Sequence, residues 1–278
     1  MTLQSTSPAQ RLTVFVEGIG LLGPGLSGWD QGRRQLQESL PYQAARCMLP
    51  QPMALPPAER RRAGAVVKVS LAIGQEAVTA SGLQASLLPS VFSSSSGDAI
   101  NCHEICSALA SSDRLISPTR FHNSVHNASS GYWSISSGSM ASSSVLCAHD
   151  ASFSAGLLEA MTQAAVEQTA VLLLAYDTDY PEPLRSMRPL PDSFGIALVL
   201  APRRSERSLA RWSLAPASCF TRTAADRLAN AALEQLRQSI PAARGLPLLR
   251  SVALQGQGDI VLDYLEDLQL AVQVAPCH

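Results

Sequence analysis

Residues 149–154 gather His149, Asp150, Ser152 and Ser154, the side-chain types that acyl transfer uses. A serine hydroxyl becomes a nucleophile when a histidine takes its proton and an acid orients that histidine. Adjacency in the chain argues against a triad, because triad members usually converge from separate elements. The plainer reading is a loop histidine at a strand end that hydrogen-bonds its surroundings.

Three other groups invite chemistry. Cys102, His103 and Cys106 are soft ligands of the kind that zinc takes. They have no second pair, so the expectation is a helix face with small buried thiols and no metal. Gly18, Gly20 and Gly23 follow the strand-like TVFVEG and spell GxGxxG, a shape that can bring a pyrophosphate to a helix N-terminus. Pro24 and Gly25 interrupt the helix that should follow, which points instead to a glycine-rich strand-to-loop turn without a nucleotide; a nicotinamide-dependent oxidoreductase would rest on these glycines alone. His122, Asn123, His126 and Asn127 lie close to Phe121, Tyr132 and Trp133. On a helix 122, 123 and 126 share a face that 127 extends, fit for an interface or pocket wall. A loop that satisfies its own backbone through Asn and Ser is the competing reading.

The elements that must carry these groups alternate in type. Apolar runs at 12–17, 87–93, 143–148, 170–175 and 195–200 read as buried strands, and 62–80 and 155–168 carry one-sided helical patterns. That order implies an α/β body whose five-stranded, mostly parallel sheet has helices on both faces. The proline-laden link 177–192 leaves no room for a crossover helix, so the strand at 195–200 should run antiparallel to its neighbour. Prolines 50, 52, 56 and 57 make 40–57 a surface connection. Beyond residue 202 a strand near 209–214, a helix over 224–239 and apolar runs at 248–254 and 268–274 are expected.

The 278 residues carry 15% charged side chains and a net charge of −1, which excludes nucleic acid or an anionic membrane held by bulk electrostatics. Six scattered cysteines do not form a disulfide framework. The N-terminus lacks a secretory pattern and no run reaches the ~18 apolar residues of a membrane span, so a cytoplasmic location is expected.

The order of pieces resembles the β-ketoacyl synthases. VFVEGIGLLGPG is similar to their first strand and turn, ERRRAGAVVKVSLAIGQEAVTASGL to the arginine-bearing helix, and FSSSSGD to the second strand with its loop. SPTRFHNSVHNASSGYWSI resembles the helix at the dimer contact, and SSSVLCAHDASFSAGLLEA the nucleophile strand and helix. AVLLLAYD and FGIALVLAP are similar to the last two strands of the N-terminal half. The resemblance implies a thiolase-like layered fold with a ketosynthase-like half over 1–202 and a shortened C-terminal segment over 203–278. The pattern is also similar to that of the short chain-length-factor-like ketosynthase partners of aryl polyene biosynthesis.

Departures from that pattern set the functional expectation. A condensing ketosynthase needs a cysteine at the helix N-terminus after its third strand, where the helix dipole lowers the thiol pKa. HDASFSAGL offers Ser152, Phe153 or Ser154 there, with His149 and Asp150 adjacent, and Cys147 comes too early. The paired histidines of the family's C-terminal half have no counterpart, since His278 is the only histidine beyond residue 202. The resemblance therefore implies a catalytically silent subunit, without cofactor or metal, that pairs with an active β-ketoacyl synthase and meets acyl carrier protein only indirectly. A homodimer is the other assembly, and acyl transfer by Ser152 or Ser154 with His149 is the alternative function. The interface would use Val145 in the edge strand together with Phe121, His122, Asn123, His126, Asn127, Tyr132 and Trp133, the aromatics serving as anchors.

Overall fold

The computed structural model describes residues 11–215 and 219–277. Strand β1 (Leu12–Leu22) leads through α1 (Trp29–Leu36), α2 (Pro57–Arg62) and the long α3 (Ala65–Ser81) to β2 (Ser90–Ser93). Then come α4 (Ala99–Ala110), α5 (Pro118–His122), α6 (Ala128–Ser137), β3 (Ser143–Leu146), α7 (Ser152–Glu167) and β4 (Val171–Asp177). The one-turn α8 (Leu184–Met187) precedes β5 (Phe194–Ala201) and β6 (Ala210–Leu214). The chain closes with β7 (Phe220–Thr221), α9 (Ala231–Ser239), α10 (Leu246–Ala253), β8 (Gly258–Leu265) and β9 (Leu268–Pro276).

The five expected strands form one continuous sheet in the order β3-β2-β4-β5-β1. β2 pairs parallel with β3 and β4, while β5 is antiparallel to both β4 and β1. Four strands thus point one way and β5 opposes them. The four-residue α8 is too short to cross over the sheet, which is why the chain returns antiparallel. Beyond the expectation, β6 pairs with β1, and β9 with β6, β7 and β8, so the described sheet has nine strands.

Period-2 alternation divides the core. Val171, Leu173 and Ala175 of β4 pack with Phe153, Leu157, Ala160 and Met161 of α7. Leu172, Leu174 and Tyr176 face the opposite layer, with Val67, Ile73 and Ala77 of α3 and Tyr132 and Trp133 of α6. In β1 the same alternation changes phase. Val14 and Val16 join the α7 layer, a bulge falls at Glu17, and Ile19 and Leu21 resume on that side. Gly18 and Gly20 are thereby turned to α3.

Those glycines lie inside the strand and not in a turn after it, which corrects the sequence expectation. A Cβ on Gly18 would stand 2.1 Å from the Ala77 carbonyl oxygen, and one on Gly20 1.9 Å from that of Ile73. The GxG spacing lets the backbone of α3 rest directly on β1. Two further corrections concern helices. Residues 224–230 are not helical, because Asn230 caps α9 by accepting from the Ala232 and Leu233 N–H groups, and Asp226 instead bonds to Val261 in β8. Cys102 and Cys106, expected to be buried, are exposed on α4.

Candidate functional site: the α7 turn and the β3 edge

β3 ends at Leu146, Cys147 and Ala148 follow, and a 3-10 turn over His149–Ala151 runs straight into α7. His149 carries a φ of 51°, in the left-handed region that non-glycine residues seldom adopt. Its strain is held by Ser152. The Ser152 hydroxyl donates to the His149 carbonyl at 2.7 Å and accepts from the Ala148 N–H at 3.0 Å, closing the turn on itself. Ser154, one turn-face away, donates to the Asp263 carbonyl of β8 at 2.6 Å. Both serines are buried. Between them Phe153 packs into the core so closely on Gly245 that a Cβ there would stand 2.3 Å from its ring.

The acid and the histidine point elsewhere. Asp150 accepts from Arg188 at 2.6 Å and from Arg244 at 3.2 Å, tying the turn to the β4–β5 link and to the 3-10 helix Pro241–Gly245. The His149 ring is largely exposed and, among the described residues, reaches only Asp150, at 3.6 Å. A base must lie within hydrogen-bond reach of the proton it takes. Here the hydroxyl proton of Ser152 already rests on a backbone carbonyl, so the residues that the sequence groups together are not assembled into a triad. Cys147 lies just past β3, exposed, and its thiol donates to the Ser95 carbonyl at 3.1 Å.

Two carboxylates that sequence reasoning missed brace this region. Asp177, at the buried end of β4, accepts from the Ser95 N–H at 2.8 Å, the Ser95 hydroxyl at 2.6 Å and the Ala242 N–H at 2.8 Å. Burial pushes its carboxyl above the usual range, against the pull of those bonds. Glu234 takes both forks of Arg237, at 2.8 and 2.9 Å, and Arg237 also bonds Asp263, whose carbonyl holds Ser154. The Arg237 guanidinium brings Glu234 down from 4.5 to about 2. An acid ending an apolar strand and the E-x-x-R helical spacing were the available signals.

The family model for the β-ketoacyl synthase N-terminal domain matches residues 29–250. The chain belongs to this family. A ketosynthase in complex with its chain length factor from Xenorhabdus doucetiae superposes with a TM-score of 0.70 at 21% identity, over 94% of this chain and 99% of the other. The ishigamide ketosynthase/chain length factor gives 0.71 at 12% identity, over 96% and 100% of the two chains. A type II acyl-carrier protein in complex with its hexaketide-bound ketosynthase gives 0.75 at 12% identity, over 96% and 100%. At these identities the likeness is one of fold, the thiolase-like α/β sheet described above. No curated protein matches the sequence.

Within this β-ketoacyl synthase domain the second part of the candidate site is the sheet edge. β3 is the outermost strand beside β2. Ser142 and Leu146 direct their carbonyls to β2, accepting from Ser90 and Ser94 N–H. By alternation, the N–H groups of Ser143 and Val145 face the open edge. The segment leading into β3 exposes Leu115, Phe121, Val125, Ile135 and Met140, the last 97% exposed.

The other expected interface residues divide. Phe121 and His122 are exposed at the end of α5, and Asn127 is exposed just before α6. Residues 122–127 do not share one helix, since α5 ends at His122 and α6 begins at Ala128. Asn123 is buried, donating to the Arg62 carbonyl at 3.0 Å and accepting from the Tyr132 hydroxyl at 3.2 Å. His126 is half-buried beside Gly97. Tyr132 and Trp133 are fully packed under α3 and are core residues of this chain, so neither is free to anchor a partner.

Among the described residues no helix is long and apolar enough to cross a membrane, and no three metal-ligating side chains cluster.

Proposed function

We propose that this chain is a catalytically silent, chain-length-factor-like subunit that pairs along β3 with an active β-ketoacyl synthase and helps bound the pocket for the growing acyl chain. The observation that carries the reading is the start of α7. Its first turn holds Ser152, Phe153 and Ser154, where the resemblance puts the family's cysteine, and both hydroxyls are tied to backbone carbonyls. Among the described residues neither serine has a base within hydrogen-bond reach, and an unactivated serine is a weak nucleophile at neutral pH. The partner would supply the cysteine and histidines.

The open Ser143 and Val145 N–H groups and the apolar side chains ahead of them support pairing at this edge. Residues 1–202 would then be the ketosynthase-like half and 203–278 an abbreviated second part. The setting is cytoplasmic fatty-acid- or polyketide-type biosynthesis, of the aryl polyene kind, with acyl carrier protein engaged through the partner.

Co-expression with a β-ketoacyl synthase tests the pairing, and light scattering on the purified material reads the stoichiometry. A stable one-to-one complex is expected. The isolated chain, incubated with an acyl thioester, should show no mass increase. A covalent acyl adduct on Ser152 or Ser154 would overturn catalytic silence.

A further inference from the structure

On the other face of the sheet from α7, a groove of about 630 Å3 runs between the outer side of α3 and the proline-rich segment before α2. Its floor is a helical stripe at i, i+4, i+7 and i+11: Lys68, Ala72, Gln75 and Thr79, with Leu71 beside it. Pro50, Pro52 and Met53 form the facing wall. That wall is preset. The prolines fix its backbone, Leu55 is buried under it, and Arg60 donates to the Met53 and Leu55 carbonyls at 3.1 and 3.0 Å.

Lys68 is the one lysine of the chain and sits half-buried at this groove. Its ammonium has no hydrogen-bond or ion-pair partner among the described residues. The nearby carboxylate on the lining, Glu76, does not neutralise it. Glu76 lies two turns along, about 12 Å on the helix axis. Both its oxygens are engaged, one by the Leu21 N–H at 2.9 Å and the other by the Trp29 N–H at 2.5 Å. The remaining surface is apolar or neutral. A half-desolvated, unpartnered cation beside a mostly apolar trough is complementary to an anionic head on a hydrocarbon chain.

We propose that this groove binds an aliphatic carboxylate, its head on Lys68 and its chain along α3 toward Ala80. The site lies across the sheet from the α7 turn and is independent of the subunit role proposed above. Titration calorimetry of the full chain with decanoate, 1-decanol and decyltrimethylammonium, below micelle formation, tests it. Decanoate should bind about tenfold more tightly than decanol, the effect of one charge-assisted contact, and the cationic amphiphile should not bind. Lys68→Met should bring decanoate down to the affinity of decanol, Lys68→Arg should retain the preference, and Ala72→Trp should remove both ligands by filling the groove. Thermal unfolding of each variant at the wild-type temperature establishes that it is folded. Failure of wild type to bind decanoate, equal affinities for acid and alcohol, or an unchanged preference in Lys68→Met would overturn the proposal.

Discussion

The turn at the start of α7 and the edge at β3 are separated by only a few residues, yet they treat their groups in opposite ways. In the turn the serines, the acid and the phenylalanine are engaged within the chain, Ser152 with His149, Ser154 with Asp263, Asp150 with two arginines and Phe153 with the core, while the His149 ring stays exposed. At the edge, backbone donors and apolar side chains are left open. A catalytic site needs free, oriented groups in a recess, and an association surface needs unpaired strand edge and exposed apolar area. On the proposed reading the β3 edge serves the second need, and the α7 turn no longer meets the first.

The strongest way to break this contrast is to empty the packed side. Phe153→Ala and Trp133→Ala each remove a side chain that is no more than 2% exposed and should lose about 3–5 kcal/mol of stability, read by denaturant unfolding. For Trp133 this means a defect in the isolated chain before any partner is added. A loss confined to assembly would return Trp133 to the interface.

Next in size is Val145→Pro. Its N–H faces outward, so the substitution removes an edge donor while the ladder to β2 survives. The isolated chain should keep its circular dichroism, and the complex with a ketosynthase should dissociate in light scattering. An intact complex would move the interface elsewhere. Phe121→Ala should act in the same direction but less, with no change in the stability of the isolated chain.

A smaller effect belongs to the brace behind Ser154. The folded value of Glu234, about 2, lies below its ordinary 4.5, so its contribution is present above pH 4.5 and is lost as pH falls toward about 2. Unfolding midpoints across that window should fall more steeply for wild type than for Glu234→Gln. Smallest of all, Cys147→Ala removes one thiol hydrogen bond, worth about 1 kcal/mol or less, and should leave product formation by the assembled pair unchanged. Abolished product in a well-folded variant would make Cys147 a nucleophile after all.

Much of the sheet was legible because its central strands are unbroken apolar runs. The runs of β4 and β5 announce strands buried on both faces, and the prolines after β4 forbid a crossover, which sets β5 antiparallel. The extra strands were less visible: β8 is half-exposed and mixed in polarity, so its pattern does not stand out from a loop. The start of α9 was hidden for a related reason, since Asn230 caps by side-chain geometry that composition over 224–239 does not register.

The amino-acid sequence by itself determined the order of the five strands β1 to β5, the absence of cysteine from residues 149–154, and the absence of any histidine between 202 and the last residue. Those are matters of residue type and local period. Only the tertiary structure decided where each hydroxyl and ring would go. Ser152, His149 and Asp150 are neighbours in the chain, but a left-handed φ at His149 and two arginines from distant segments turn their side chains apart. Gly18 and Gly20 read as a turn until α3 is laid against β1, because close approach of two backbones is a contact between residues some 55 positions apart. Tyr132 and Trp133 likewise have the composition of an anchor and the position of a core. Burial is set by what the rest of the chain packs over a residue, which local sequence does not contain.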